Sequence, residues 1–186
     1  MDQHESNPPG EKLTAKISLL VVVIGGIIWL GGINVRAMIG FDLLQVGTLD
    51  FKTYIHPQVE RMVYGFLAQS SMLLSITYGL TWISGIVFLK TTRLNPKQQG
   101  WLMMSAILFY MFTPVEIYSM VLDGRMMYLD YLGSNDLVEY RKLFIHRLAA
   151  LAGVPMIALL GYYTAIVVII FKPLRRDGDQ TSTLAS

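Results

Sequence analysis

The side chains best able to do chemistry are Arg36, His56, Glu60, Arg61, Glu116, Asp123, Arg125, Arg141, His146 and Arg147. Glu116 stands out because it interrupts an otherwise uncharged stretch, Trp101–Leu122, in the segment Pro114-Val115-Glu116-Ile117-Tyr118. A carboxylate inside a membrane is costly unless it is paired, protonated or close to water. Glu116 therefore reads in one of two ways. It is a catalytic proton-transfer group or ligand anchor, or it is one half of an ion pair with Arg36, Arg61 or Arg147 that sets helix register. His56 and His146 fall at the ends of apolar stretches on the same side. Two imidazoles from different helices could ligate one haem iron or, with Glu116, a metal ion, although no tight His-x-x-x-His spacing is present. Arg36, Arg61 and Arg147, with Arg141 and Lys142 nearby, could hold an anionic group such as a propionate or phosphate. Their other reading is snorkelling to lipid phosphates.

The segment Tyr54-Ile55-His56-Pro57-Gln58-Val59-Glu60-Arg61 predicts a helix start. Pro57 suits the first helical position, because its missing N–H would be unpaired there in any case. His56 then sits at the N-cap and Glu60 one turn on. Glu60 and Arg61 are adjacent, so they point in different directions and each needs its own partner.

The elements that must position these residues are membrane spans. The chain has 186 residues, 53% hydrophobic and only 15% charged, against about 25% charged in soluble domains. Three stretches lack Asp, Glu, Lys and Arg altogether: Ile17–Val35, Met62–Leu89 and Leu148–Phe171. Each reaches the roughly 20 apolar residues that a spanning helix needs. With Trp101–Leu122 they predict four spans, at about 17–38, 62–89, 101–122 and 146–171, in one membrane domain over 15–174. Residues 1–14 and 175–186 are expected to be tails, with His4 solvated in the first. The expected fold is an all-α integral membrane protein, a four-transmembrane-helix up-and-down bundle. Gly25, Gly26, Gly31 and Gly32 in the first span read as sites of close helix approach.

Charge gives direction. Lys12 and Lys16, then Lys90, Arg93 and Lys97, then Lys172, Arg175 and Arg176 share one side, and the link 90–97 is basic without an acid. The positive-inside rule puts both termini in the cytoplasm, and the expected location is a bacterial inner membrane. The two loops on the other side, about 40–60 and 123–146, mix apolar, aromatic and charged residues. A net charge of +2 makes nucleic acid a poor partner. The expected partners are the lipid bilayer and either other membrane proteins or further copies of the chain. The absence of cysteine excludes disulfides, thiolate metal sites and iron–sulfur clusters.

Several short motifs carry a family resemblance over most of residues 27–174. Trp29-Leu30-Gly31-Gly32 is followed by Arg36. Glu60-Arg61 is followed by Tyr64. Gly100-Trp101-Leu102 opens the third span, and Pro155 precedes a run ending Val168-Ile169-Ile170-Phe171-Lys172-Pro173. In these the chain resembles the HemJ-type membrane protoporphyrinogen oxidases. It departs from the family where Ser105 stands at a lysine, Glu116 at a histidine and Ala152-Gly153-Val154 at an Asn-Glu pair, and its first span has no histidine. The resemblance implies a helical-bundle membrane oxidoreductase with haem b as a possible cofactor.

The resulting expectation is a small membrane redox protein that binds haem, porphyrin or quinone near the outer membrane edge. Arg36, Arg61 and Arg147 would hold the ligand's carboxylates, and Glu116 would move protons. His56 or His146 would ligate iron or bond a quinone oxygen. The alternatives are a non-catalytic subunit or assembly factor of a larger membrane complex, and a small transporter or channel.

Overall fold

The computed structural model describes residues 12–96, 99–149 and 153–173. Most of the two expected tails, with His4, Lys97, Arg175 and Arg176, lies outside the described residues. Six helices form among those described: α1 (Leu13–Phe41), α2 (Pro57–Thr91), α3 (Gly100–Met111), α4 (Thr113–Tyr131), α5 (Leu137–Ala149) and α6 (Val154–Phe171). Four helical stretches are long and apolar enough to cross a membrane: α1, α2, α3 with α4, and α6. The chain is an all-α membrane bundle.

The helices outrun the apolar stretches that predicted them. At 1.5 Å per residue, the 35 residues of α2 extend about 52 Å, beyond a hydrocarbon core of about 30 Å. The surplus lies mainly at one end of the bundle. There the last turns of α1, the first turns of α2, the second half of α4 and all of α5 gather the charged residues. We call this the loop end. The opposite end carries the start of α1, the α2–α3 link and the end of α6.

Two breaks differ from the sequence expectation. The third span is split at Phe112 (φ −88°, ψ 3°), with Pro114 in the first turn of α4. Pro114 has no N–H to give to the carbonyl one turn back, so the ladder is interrupted there. Beyond the break α4 runs to Tyr131 rather than ending near residue 122. The span expected from 146 is not one helix either. α5 ends at Ala149 and α6 begins at Val154, preceded by Gly153 in the left-handed region (φ 87°), where a Cβ would be strained. Pro155 lies in the first turn of α6, so it starts a helix rather than kinking one.

α1 packs most extensively on α2, and α6 on α3, with α4 against α2. Gly25 allows the first pairing, since a Cβ there would lie 2.5 Å from Thr81 Oγ1. At mid-membrane Trp29 packs on Tyr78 and Tyr162 with ring centroids 4.9 and 4.8 Å away. Asn34 ties α1 to α6 through Tyr163 Oη, at 2.6 Å. A second core at the loop end joins Leu43, Leu44, Tyr64, Leu67, Met126, Tyr140 and Phe144. The α1–α2 loop folds back on it through an antiparallel bridge between Leu44 and Phe51.

Candidate functional site

On α4, Glu116, Ser119 and Asp123 are three and four residues apart, which aligns them on one face. That face looks into the bundle. Arg36, at the loop end of α1, donates from both terminal nitrogens to Asp123, Nη1 to Oδ2 at 2.8 Å and Nη2 to Oδ1 at 3.0 Å. This is a two-pronged pair that holds α1 on α4, and both side chains are 7% exposed. Arg147 of α5 brings its Nε to 2.7 Å from Asp123 Oδ1, a second ion pair on the same carboxylate, with the N–H poorly aligned for a hydrogen bond. Asp123 thus answers two arginines.

Glu116 has a different neighbourhood. It receives the Tyr162 hydroxyl at 3.2 Å and lies in the first turn of α4, where the helix dipole favours a carboxylate. The break at Phe112 therefore has a consequence for the site, because it creates a helix start inside the membrane beside the one intramembrane glutamate. Glu116, Asp123, Arg36 and Arg147 surround a space of about 10 Å³ that Trp29, Ser75 and Ser119 also line. That is room for a single water molecule.

The neighbouring face of the same turn opens outward. Thr113, Pro114, Ile117, Tyr118 and Val121 of α4 form, with Trp82 and Tyr110, an open groove of about 620 Å³ on the apolar surface of the bundle. Thr113 Oγ1 accepts from Trp82 Nε1 at 3.1 Å and from Tyr78 Oη at 3.3 Å. The contact with Tyr78 joins two hydroxyls, so one of their two protons lies between the oxygens and the other finds no acceptor among the described residues. At the other end of the groove Tyr118 Oη lies 2.8 Å from His146 Nε2.

The remaining site expectations resolve as follows. Arg36, Glu116 and Arg147 come together, as a ligand-holding set would require. However, the cationic partner foreseen for Glu116 is taken by Asp123 in both cases. Arg61 is elsewhere, paired with Asp130 at 2.9 Å, bonded to the Ser134 carbonyl at 2.7 Å and lying over the Tyr140 ring. Glu60, 2% exposed, receives Arg141 through Nε and Nη2, both at 2.6 Å. That bond holds the Arg141 guanidinium above its usual pKa. Glu60 and Arg61 thus each find a partner outside their own helix. His56 caps α2, its Nδ1 accepting from Gln58 N–H at 3.3 Å, with Pro57 in the first turn. His146 belongs to the α4–α5 neighbourhood through Tyr118. Each imidazole is exposed and has one nitrogen engaged, and neither lines the space beside Glu116. The residues around that space do not fit a haem: the volume is that of a water, and both arginines are committed to Asp123. No group of three or more metal-ligating side chains occurs among the described residues.

Asp123 has no assigned role in the sequence pattern, and nothing in that pattern singles out Thr113 or Tyr162. The i, i+3, i+7 spacing of Glu116, Ser119 and Asp123 was the available signal for the polar stripe. Comparison with known proteins finds no matching family model, curated protein or solved structure.

Proposed function

We propose that this chain is a small membrane oxidoreductase of the outer half of the bilayer that binds a quinone-class ring in the groove over α4. The observation that carries this reading is the Thr113 hydroxyl. Its pair with Tyr78 leaves one hydroxyl proton without an acceptor, beside the aromatic walls of Trp82 and Tyr110 on a surface that faces lipid. A lipid-soluble ring bearing carbonyl oxygens supplies the missing acceptor and stacks on the aromatic walls. The Tyr118–His146 pair offers a second polar contact. Reducing a quinone takes two electrons and two protons. Glu116, one turn from Thr113 and beside a water-sized space, is the proton-holding group of this proposal. The porphyrinogen class named by the resemblance is a fitting electron donor. Both termini face the cytoplasm of a bacterial inner membrane in this reading, which sets the groove and the ion cluster toward the outer leaflet.

The test is saturable binding of a short-chain ubiquinone or menaquinone analogue to the purified full chain, read through tryptophan fluorescence. Thr113→Val is expected to weaken binding about tenfold, as loss of one hydrogen bond of about 1–1.5 kcal/mol would do. Glu116→Gln is expected to abolish quinone reduction while leaving quinone binding and the fold intact. Unchanged affinity in Thr113→Val removes the groove assignment, and full turnover in Glu116→Gln removes the proton role. A Soret band at one haem per chain replaces the quinone reading with a haem one.

A second reading, a subunit of a larger membrane complex, has its own support. Val46 is fully exposed at the tip of the α1–α2 loop, with Leu49 and Tyr54 also exposed nearby. Co-purification of a stoichiometric membrane protein would favour it.

A further inference from the structure

The space beside Glu116 holds more donors than the proton role uses. Two guanidinium groups border it; the Nε–H of Arg36 is buried without a hydrogen-bond partner, whereas the Nε of Arg147 is held by its ion pair with Asp123. Ser75 of α2 and Ser119 of α4 line the same space, and their hydroxyls make no hydrogen bond among the described residues. Three residues with a donor left without a partner, Arg36, Ser75 and Ser119, therefore line a volume of about 10 Å³. Arg36 is itself 7% exposed, so its unpartnered donor cannot be satisfied by bulk water. A buried donor left without an acceptor costs free energy.

Charge counting shows what satisfies them. Arg36 and Arg147 bring two positive charges and Asp123 one negative charge. When Glu116 is ionised the cluster is neutral. When Glu116 is protonated, one positive charge remains uncompensated in a low-dielectric setting, with the three donors still in place. A single monatomic anion restores neutrality and accepts from those donors. The other groups facing Glu116 are neutral hydroxyls: Tyr162 of α6, which donates to it, and Tyr78 of α2, which is bonded to Thr113.

We propose that this space is a proton-linked site for a small monatomic anion of the halide class. The anion enters as Glu116 takes up a proton and leaves as Glu116 gives it up, so the cluster stays neutral in both states. A water-sized ion such as fluoride fits the space as it stands. Chloride is larger and needs the space to widen, and Arg147, a quarter exposed, is the less confined of its two arginines. The assignment stands apart from the quinone reading, because no electron transfer enters it and the groove over Thr113 is on another face of α4.

The experiment uses the full chain in detergent, exchanged into halide-free gluconate buffer and titrated with sodium fluoride and sodium chloride. Calorimetry in two buffers of different ionisation enthalpy reads both anion binding and proton uptake. The expected result is close to one proton taken up per anion bound. Apparent affinity should fall about tenfold per pH unit on the alkaline side of the Glu116 titration, as linkage of one proton requires. Glu116→Gln mimics the protonated state and is expected to bind the anion with no proton uptake and a flat pH dependence. Ser119→Ala, a milder change, is expected to weaken binding several-fold while keeping the one-proton stoichiometry. No halide-dependent heat in the wild-type chain at either acid or neutral pH overturns the site and leaves a structural water only. Binding without proton uptake in the wild-type chain overturns the linkage.

Discussion

Two tyrosines at the loop end show how much one hydroxyl depends on its partner. Tyr64 and Tyr140 stack nearly parallel, with ring centroids 5.4 Å apart, and both are fully buried. The Tyr64 hydroxyl donates to Glu60 at 3.2 Å, whereas the Tyr140 hydroxyl has no partner. Removing a satisfied hydroxyl loses a bond, and removing an orphan relieves a penalty. Tyr64→Phe is therefore expected to lower stability by about 1 kcal/mol, and Tyr140→Phe to be neutral or to raise it by a similar amount. Thermal unfolding in detergent compares the two. Burial also pushes the Tyr140 phenol above its ordinary pKa of 10. The neutral phenol is thus favoured in the folded chain, and its contribution is complete below pH 10. Above that the unfolded chain ionises first and the contribution fades. Tyr140→Phe should lose less stability than the wild type between pH 9 and 11. A steeper loss in the variant would contradict this assignment. Sequence reasoning foresaw that Glu60 and Arg61 need separate partners. It could not foresee an orphan hydroxyl, because a tyrosine's composition is the same whether or not an acceptor meets it.

At the scale of an element, the glycines of α1 separate into two kinds. Gly25 faces α2 with Thr81 in the way of any side chain, whereas Gly26 has open space beside it. Gly25→Ala is expected to cost about 1–3 kcal/mol through overpacking, and Gly26→Ala to be neutral or mildly stabilising because alanine is the better helix former. Equal effects at the two positions, measured by unfolding midpoint, would mean that the α1–α2 contact is not set by small residues. The sequence pattern identified α1 as a close-packing helix, but which glycine faces the partner depends on how α1 is rotated about its axis. The same limit applied to α4. The sequence expectation is one span over 101–122, with the charged residues beyond it read as loop. In the structure they continue the helix, because Asp123 and Asp130 are neutralised by arginines brought from α1, α2 and α5.

For the whole molecule, topology is the statement most open to direct test. The native chain has no cysteine, so single cysteines report without background. Thr48→Cys, in the exposed α1–α2 loop, is expected to react with a membrane-impermeant maleimide on intact cells. Leu94→Cys, in the α2–α3 link, is expected to react only after lysis. The reverse pattern would invert the bundle and place the Glu116 cluster in the cytoplasmic leaflet. Full labelling of both in intact cells would contradict the four-span architecture itself. The ion-paired loop end gives the molecule its polarity. Three of its helices, α1, α2 and α4, each carry a charged side chain that is 7% exposed or less (Arg36, Glu60 and Asp123), while Lys16 and Lys90 at the opposite end are exposed.

The sequence alone determined that the chain is a helical membrane protein with four spans, that α2 begins at His56-Pro57, and that many of its charged residues gather at one edge. These follow from local composition: an apolar run long enough to cross lipid must be helical, because every backbone group needs a partner within its own segment. Only the tertiary structure decided which acid meets which base. Arg36 and Asp123 are 87 residues apart, and the choice of Asp123 over Glu116 as the arginines' partner is a matter of one and a half to two turns along α4. That choice depends on the rotation and depth at which α1, α4 and α5 come together, which packing against Trp29, Tyr78 and Tyr162 sets and no spacing in the chain encodes. Its outcome gives the site its character, because Glu116 is left with a hydroxyl and a water-sized space instead of a counter-ion.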